Sequence, residues 1–476
     1  MRAPIAVLCV FLVIFCQEAF CSFSPPSSKS REYYAKFKKI IAAKSKPLVT
    51  LQANGLKQDG RVFYPIGYGA DPTGAKDSSA AILNALADAF KVSSGLELLR
   101  GVHDLGGAVI DLQGASYKID HPIRLPAQGG GNVVIKSGSL RASSLFPGNR
   151  HLIEIWSPSS QNTVGFYYED ITFHDILFDS SFRGGGIYVI DSVRIRIDNC
   201  FFIHFSTQGI VVERGHETLV SNTFLGQYLT VGGDKREKSF TGTGIKLASN
   251  DNVITDVVIF SAAIGLAISG QANMITGVHC YNKATYWGGI GILVDLPGNS
   301  QTRIDNCYLD YNAIVLKDPV QVHVSNVYFL GDGNIVLKSV KGQISGLNIV
   351  DNMFTGNAKA NAPIVKLDGV FSNIDQVVVD RNTVNGMALK STIGKSTIKG
   401  NGTKWTTDFS QVLLFPNKIN HVQYSFYVRG RSGIPAHAVT NVTGNFVTVE
   451  SDKAVDGVVS VEVDQYNRGG EISLYN

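Results

Sequence analysis

The chain is poor in charge. Only 17% of its 476 residues are charged, against about 25% in an average globular protein, while 44% are hydrophobic. This composition excludes a disordered chain and a coiled coil, since both need more charge or less apolar content. Lys and Arg exceed Asp and Glu only slightly, 43 against 39, and form no basic arm. We therefore predict no nucleic-acid partner, although the balance is compatible with a polyanionic ligand.

Long hydrophobic runs are also absent. The most apolar stretch, residues 5–15 (IAVLCVFLVIF), is too short to span a bilayer comfortably and follows Arg2. Ala19 and Cys21 place small residues where a signal peptidase reads. We predict a signal peptide over residues 1–21, secretion, and no membrane attachment after cleavage. An uncleaved N-terminal membrane anchor is the alternative.

Cysteine is scarce. Of six cysteines, predicted cleavage removes three and leaves Cys200, Cys280 and Cys307. An odd number in a secreted protein predicts at least one thiol that is free or paired between chains. There is no CxxC and no Cys/His spacing typical of a metal site, so we predict neither a disulfide scaffold nor a metal or other cofactor. We interpret these cysteines as core residues.

Glycine, in contrast, is abundant, with 49 of 476 residues or about 10%, against about 7% on average. Between residues 106 and 390, short runs rich in Val and Ile alternate with Asn, Asp, Gly and Ser. One phrase recurs at residues 196–202 (RIDNCFF), 219–225 (LVSNTFL), 303–309 (RIDNCYL) and 323–329 (HVSNVYF). A second phrase follows, in which Gly precedes alternating apolar residues, as in residues 186–190, 209–213, 244–248, 265–269 and 291–295.

A repeat of 20 to 25 residues with two short strands and no helix predicts a solenoid of the parallel β-helix type. The asparagines of the first phrase should stack at one bend, because Asn tolerates the left-handed backbone that such bends require. Those asparagines are Asn199, Asn222, Asn306 and Asn326. Cys200 and Cys307 share one register of the repeat and should point into the core. We attribute the high glycine content to the bends.

The two ends of the chain differ from the repeat. Residues 22–60 form a polar extension, and residues 78–92 carry apolar residues at helical spacing, with Asp77 or Ser78 as N-cap. We place the β-helix at residues 61–390. Residues 391–476 read as a small antiparallel β module, with strands at 412–415, 422–428, 446–450 and 458–463. Helix and module would cap the solenoid, whose terminal turns otherwise expose unpaired edges.

Two segments interrupt the repeat. We predict insertions at residues 226–243 and 351–375, the first of which contains Lys235, Arg236 and Lys238. These insertions either form the walls of a binding groove or are surface loops without a function. Asn401 and Asn441 begin Asn-X-Thr sequons and are predicted glycosylation sites.

The phrase at residues 64–77 (YPIGYGADPTGAKD), the helix after it, and residues 106–117 resemble the opening of the pectin lyase-like superfamily. The whole layout, over roughly residues 60–476, is similar to the plant quartet-type polygalacturonases. This resemblance implies an all-β, right-handed parallel β-helix in a monomer secreted to the cell wall. It also implies hydrolysis of α-1,4-galacturonosyl bonds in pectic homogalacturonan, in wall loosening or cell separation such as pollen release from the mother-cell wall.

The catalytic phrases of well-known polygalacturonases, NTDGI, DDCI, GHGI and RIK, are missing. The corresponding positions read GGGI (184–187), TQGI (207–210) and GTGIK (242–246), with Thr243 where the histidine would stand. The catalytic residues therefore cannot be transferred from that motif set and must be sought from geometry.

Glycoside hydrolysis uses two carboxyl groups, about 5–5.5 Å apart in retaining and roughly 6.5–9.5 Å apart in inverting enzymes. Because neighbouring strands lie about 4.8 Å apart, the pair should come from the same or adjacent turns. Glu213 and Asp295 share a register but lie three turns apart. We predict Glu213 and Asp191 as the catalytic acids with His204 beside them. The predicted substrate-binding residues are Lys246, Arg183, Tyr188 and Asp295.

Other interpretations remain open at this point. Glu213 could be a solvated surface acid, Asp191 a turn residue, and Tyr188 a packing residue. The protein could instead be a lyase on the same fold, which would gather carboxylates around calcium and use an arginine base, or a wall-binding protein without catalysis.

Overall fold

The computed structural model describes residues 56–156, 165–228, 240–281, 289–430 and 433–467. All of them belong to one unit, Pro47–Asn476. The predicted signal peptide, most of the polar extension and the three basic residues 235, 236 and 238 lie outside the described residues. Across the described ranges, no helix is long and apolar enough to cross a membrane.

Short parallel strands form three sheets, and each full turn of the chain adds one strand to each. We number the sheets in the order in which a turn visits them. Sheet 1 consists of Ile123–Arg124, His151–Ile155, Gly185–Ile190, Gln208–His216, Thr243–Asn250, Ile264–Ile268, Ile290–Val294, Ala313–Lys317, Ile335–Lys338 and Val365–Asp368. Sheet 2 contains Asp104–Asp111, Ser192–Val193, Arg196–Asp198, Leu219–Ser221, Val253–Thr255, Met274–Thr276, Thr302–Asp305, Val322–Ser325, Asn348–Val350 and Val378–Asp380.

Sheet 3 contains Ser116–Ile119, Phe201–Ile203, Phe224–Gly226, Val258–Phe260, His279–Tyr281, Tyr308–Asp310, Tyr328–Leu330, Met353–Thr355 and Thr383–Asn385. Two longer strands, Gly130–Ala142 and Tyr168–Asp179, run from sheet 2 into sheet 3. Gln343–Ser345 and Asn373–Asp375 form a separate parallel pair. The predicted parallel β-helix is confirmed.

The core follows from the alternation of side chains along each strand. In sheet 1, Ile187, Ile210 and Ile245 lie in one inward row, and each is fully buried. Aromatic residues continue the stacking in sheet 3, where the rings of Phe178 and Phe202 are 4.6 Å apart and nearly parallel. The hydrophobic core is therefore a continuous column along the axis of the solenoid.

The asparagine ladder is present at the bend between sheets 2 and 3. Asn199, Asn222, Asn306 and Asn326 have φ of 50°, 48°, 51° and 54°. The left-handed conformation predicted for this bend is confirmed. It lets the chain turn sharply between two strands of three or four residues.

The alternation of Asp-Asn and Ser-Asn in the repeat has a physical basis. Asp305 accepts hydrogen bonds from Ser325 Oγ at 2.7 Å and from Asn326 Nδ2 at 2.9 Å, both one turn further along. Asp198 makes the same two bonds with the next turn, at 2.7 and 2.9 Å. Each aspartate thus ties its bend to the following one.

Glycine has a second role besides the bends. Gly186, Gly209, Gly244, Gly265 and Gly291 stack at the start of the sheet 1 strands. A Cβ on Gly209 or Gly244 would lie 2.7 Å from a carbonyl oxygen of the next strand. The expectation that bends account for the glycine content is therefore incomplete, because this glycine ladder permits close approach between turns.

Cys200, Cys280 and Cys307 are free thiols with at most 1% exposure. Cys200 and Cys307 point inward as predicted. Burial raises the pKa of the Cys200 thiol to about 12, so it stays protonated and unreactive.

A helix, Ser79–Ala89, packs against the first turns, shorter than the predicted residues 78–92. Ser78 is the N-cap residue but makes no side-chain cap bond there. Asp77 Oδ1 instead accepts from Ser79 N at 3.0 Å, and Ser78 Oγ accepts from Asp71 N at 2.9 Å. A 3₁₀ helix, Pro65–Tyr68, and a short antiparallel pair, Gln58–Asp59 with Val62–Phe63, precede it.

The C-terminal module is an antiparallel sheet of four strands, Ile393–Asp408, His421–Val428, His437–Thr443 and Phe446–Asp464. The module is antiparallel as predicted, but the strands predicted at 446–450 and 458–463 are one continuous strand, Phe446–Asp464, and the strand His437–Thr443 was not predicted. The predicted strand at 412–415 is wrong. These residues form a buried connection after a long strand that the sequence interpretation missed, because its Gly, Lys and Thr content hid its pattern.

The segment 351–375 is not purely an insertion. It contains Met353–Thr355 of sheet 3, Val365–Asp368 of sheet 1 and the strand Asn373–Asp375. The solenoid therefore continues through it.

Candidate active site

The outward face of sheet 1 carries the candidate site. Arg124, Glu154, Tyr188, Val211 and Lys246 occupy one register row on successive strands. In the next outward row, Ile190 pairs with Glu213 and Glu213 pairs with Ala248. The period-two alternation places the charged and aromatic side chains of both rows on the face opposite the core.

Glu213 is at the centre of this face. Its carboxylate accepts a hydrogen bond from Tyr188 Oη at 2.9 Å and one from Lys246 Nζ at 3.0 Å. Burial alone would raise the pKa of Glu213, but these two bonds and the charges of Lys246 and Arg214 outweigh it. The pKa lies below its ordinary value, so the group is an ionised carboxylate at neutral pH.

Asp191 lies one strand before Glu213, and their Cα atoms are separated by roughly 6 Å from strand geometry. Its carboxylate is 8% exposed and holds Arg214 through two bonds of 2.8 Å, one from Nε and one from Nη2. The register shifts between Glu213 and His216, which indicates a bulge. Asp191 and Arg214 both have left-handed backbones, with φ of 47° and 48°. Such bulges commonly redirect a side chain next to a functional site.

Tyr188 links Glu213 to the preceding turn. Its ring stacks on His151 with centroids 5.5 Å apart. Burial, the main cause, and the nearby Glu213 raise the pKa of Tyr188, so it remains a hydroxyl donor. Burial also lowers the pKa of His151 to about 4, so this imidazole is neutral.

A further charged cluster lies beside His151. Glu154, with a side chain only 2% exposed, accepts from Arg124 Nε at 2.9 Å and from Arg150 Nε at 2.7 Å. The guanidinium of Arg124 lies over the Trp156 ring, 4.7 Å from its centroid. This cluster extends the polar face toward the N-terminal turns.

His204 does not join Glu213 and Asp191. It follows the sheet 3 strand Phe201–Ile203 and its Nδ1 is 2.8 Å from Asp179 Oδ1. From Gln208, where the next strand begins, five extended residues, roughly 16 Å, lead to Glu213. Arg183 is at the same edge as His204, and its Nε donates to the Phe146 carbonyl at 2.6 Å.

Asp295 also lies apart from Glu213. It follows the third sheet 1 strand after that of Glu213, roughly 14 Å away by strand spacing. Lys317 Nζ donates to its Oδ2 at 2.7 Å. Of the predicted residues, the structure brings together Glu213, Asp191, Tyr188 and Lys246.

Sequence reasoning missed Arg214, His151, Glu154, Arg150 and Arg124. The alternation in HLIEI (151–155) points Glu154 outward like Tyr188, which was a usable signal. The contact of Arg214 with Asp191 could not be predicted from the sequence, because it depends on the bulge. Within the described ranges, no group of three or more His, Cys, Asp or Glu residues is placed to hold a metal ion.

The two sequons lie on the C-terminal module. Asn401 and Asn441 are exposed, and Thr443 Oγ1 donates to Asn441 Oδ1 at 2.6 Å.

Comparison with known proteins identifies the relatives of the chain. No protein-family profile matches it. It is 53% identical over 409 residues to Polygalacturonase QRT3 of Arabidopsis thaliana. The aligned residues cover 85% of this chain and 84% of that protein.

Solved structures resemble it in fold. ORF18 of Geobacillus virus E2 superposes with a TM-score of 0.53 at 11% identity, covering 83% of this chain and 78% of that one. The endo-xylogalacturonan hydrolase of Aspergillus tubingensis superposes with a TM-score of 0.45 at 12% sequence identity. The superposition covers 68% of this chain and 92% of that one. The likeness to ORF18 shows a shared fold. From its identity to the Arabidopsis protein, the chain belongs to the plant quartet-type polygalacturonases.

Proposed function

We propose that this protein is a secreted glycoside hydrolase that cleaves α-1,4-galacturonosyl bonds of homogalacturonan in the plant cell wall. The observation that carries the proposal is the 53% identity to a protein named as a polygalacturonase. The role in wall loosening or cell separation, including pollen release from the mother-cell wall, belongs to the same proposal. The outward face of sheet 1 supports it, since the cationic side chains of Lys246, Arg124 and Arg150 there suit a polyuronate.

In this proposal, Glu213 is the carboxylate that acts on the attacking water or the sugar carbon. Its ionised state fits that role, and Lys246 and Tyr188 hold its two oxygens. Asp191 is the second carboxyl group, because it lies one strand away. Arg214 must move off Asp191 before that side chain can carry a proton to the leaving oxygen.

The other predicted residues contact the polymer in this proposal. Lys246 and Asp295 lie along sheet 1 about two strands apart, so they would face different units of a chain laid along the solenoid axis. Arg183 and His204 lie at the opposite edge of the sheet from Glu213. We propose that these two bind the polymer there and do not touch the reacting bond.

The decisive experiment incubates the secreted protein with polygalacturonate and measures new reducing ends together with ultraviolet absorbance of unsaturated products. Hydrolysis gives reducing ends without absorbance. Absorbance would indicate a lyase, and retention on the polymer without either signal a binding protein.

The site is tested by Glu213→Gln and Asp191→Asn, singly and together. Loss of general acid or base catalysis should lower kcat by roughly 100-fold or more. Glu217→Gln is the matched control, because Glu217 lies four residues beyond Glu213 with a side chain 54% exposed. Hydrolysis that survives the double variant would refute the assignment of this pair.

A further inference from the structure

Two arginines at the N-terminal end of sheet 1 share one buried carboxylate. Glu154 is 2% exposed, whereas the side chains of Arg124 and Arg150 are 42% and 34% exposed. Arg150 contacts Glu154 through both Nε and Nη2, and Arg124 donates only through Nε. The buried glutamate thus fixes both guanidinium groups from below while their outer parts reach solvent.

Among the described residues, both guanidinium groups have N–H donors without a partner. Arginine has five N–H groups in a planar fork. In the part of the chain that the structure describes, neither Nη1 of Arg150 nor the two Nη atoms of Arg124 make a hydrogen bond. Trp156 supports Arg124 from one side, with the guanidinium 4.7 Å from the ring centroid. The donors are therefore preorganised for an oxygen ligand, and planar forks of this kind suit a carboxylate.

The charge of this cluster is unbalanced. Burial opposes ionisation of Glu154, but bonds from Arg150 and Arg124 outweigh that effect and keep its pKa below the ordinary value. Two cations then face one anion. The Lys246–Glu213 and Arg214–Asp191 contacts nearby are one-to-one pairs. One positive charge remains at the arginine pair, and an anionic ligand would neutralise it.

The position of the pair relative to Glu213 defines which part of a polymer it meets. Glu154 pairs in register with Tyr188, and Tyr188 with Val211 on the strand of Glu213. The arginine pair therefore lies two strands, roughly 10 Å, from the proposed reacting carboxylate along the solenoid axis. That distance places it against a sugar unit other than the two joined by the cleaved bond.

We propose that Arg124 and Arg150 form a subsite for the carboxylate of a galacturonate unit that flanks the cleaved bond. The inference rests on the proposed function, since it names a selectivity of the same face. It makes the protein select chains whose flanking uronates are free acids, because a methyl ester would leave the guanidinium donors facing an uncharged group.

The test compares Arg124→Gln, Arg150→Gln and the double variant on polygalacturonate and on highly methyl-esterified pectin. The double variant should raise KM for polygalacturonate roughly 10-fold or more, with kcat changed less than about threefold. The preference for polygalacturonate should shrink accordingly. Arg381→Gln is the matched control: Arg381 holds Asp351 through bonds of 2.9 and 2.8 Å on a late turn, and it should change neither constant.

A binding measurement separates this inference from the proposed function. Electrophoretic retardation in gels containing polygalacturonate is measured in a Glu213→Gln background, where no hydrolysis interferes. Relative to its own mobility in a gel without polygalacturonate, each arginine variant should be retarded less than the background protein. This result would support the subsite even if the wild-type protein released no reducing ends, which would refute only the proposed function.

Arg124→Lys and Arg150→Lys control for misfolding, because lysine keeps the positive charge beside Glu154 but lacks the planar guanidinium that can bind a carboxylate through two hydrogen bonds. They should show an intermediate KM. Unchanged KM and retardation in a folded double glutamine variant would overturn the subsite. So would a loss of kcat without any change in KM, because that would indicate a role in positioning the reacting groups.

Discussion

Replacing Gly244 by alanine tests whether the glycine ladder sets the spacing between turns. A Cβ at this position would lie 2.7 Å from the Gly265 carbonyl oxygen and 2.8 Å from Ile259 Cγ2. Both atoms belong to packed structure and neither can withdraw freely. Overpacking of this kind costs about 1–3 kcal/mol, and it would act two residues from Lys246, on the strand next to Glu213.

Gly148→Ala provides the reference, since a Cβ there meets nothing within 4 Å. Both substitutions reduce the freedom of the unfolded chain, which favours the folded state by about 0.4–1 kcal/mol. The difference between the two variants therefore isolates the clash. We expect Gly244→Ala to unfold at a clearly lower urea concentration than Gly148→Ala, followed by near-ultraviolet circular dichroism. Equal unfolding midpoints would refute the argument that close approach requires glycine here.

Three further outcomes are expected. Unfolded His151 binds a proton near pH 6.5 but the folded form only near pH 4, so acid favours unfolding across that window. Between pH 7 and pH 4.5 this proton linkage should lower the free energy of unfolding by at most about 3 kcal/mol. The melting temperature should fall accordingly, and it should fall less in His151→Gln. The three buried thiols should resist a disulfide reagent until the protein is denatured, and rapid reaction of the native protein would contradict their burial. Enzymatic removal of N-glycans from protein secreted by plant cells should reduce its mass by the mass of two glycans. Asn401→Gln and Asn441→Gln should each lack one of these two glycans.

The repeat was predictable because each element of it has a local cause. The asparagine of the first phrase needs a left-handed bend, and its φ can be anticipated from residue type alone. The apolar alternation in phrases such as residues 209–213 fixes which side chains face the core. The strand Ile393–Asp408 was not predictable, since its stability comes from pairing with Phe446–Asp464, far along the chain.

Part of the candidate site was predictable for the same reason. The alternation placed Glu213, Lys246 and Tyr188 on the outward face, and the repeat placed Asp191 one turn from Glu213. The bonds that decide the charge of Glu213 depend on side chains from three different turns. The spacing in the sequence predicts the outward row in which each of these side chains lies, but it does not predict which side chains form hydrogen bonds with one another.

The sequence by itself therefore determined the architecture, because a β-helix is built from local bends and alternation repeated at a fixed period. It also determined which carboxylates can lie close together. Only the tertiary structure decided which of them are held by cations: Arg214 reaches Asp191 from a bulge, and Arg124 and Arg150 converge on Glu154 from separate turns. The physical reason is that an ion pair depends on where two flexible side chains end, which stacking of turns and local irregularities set together.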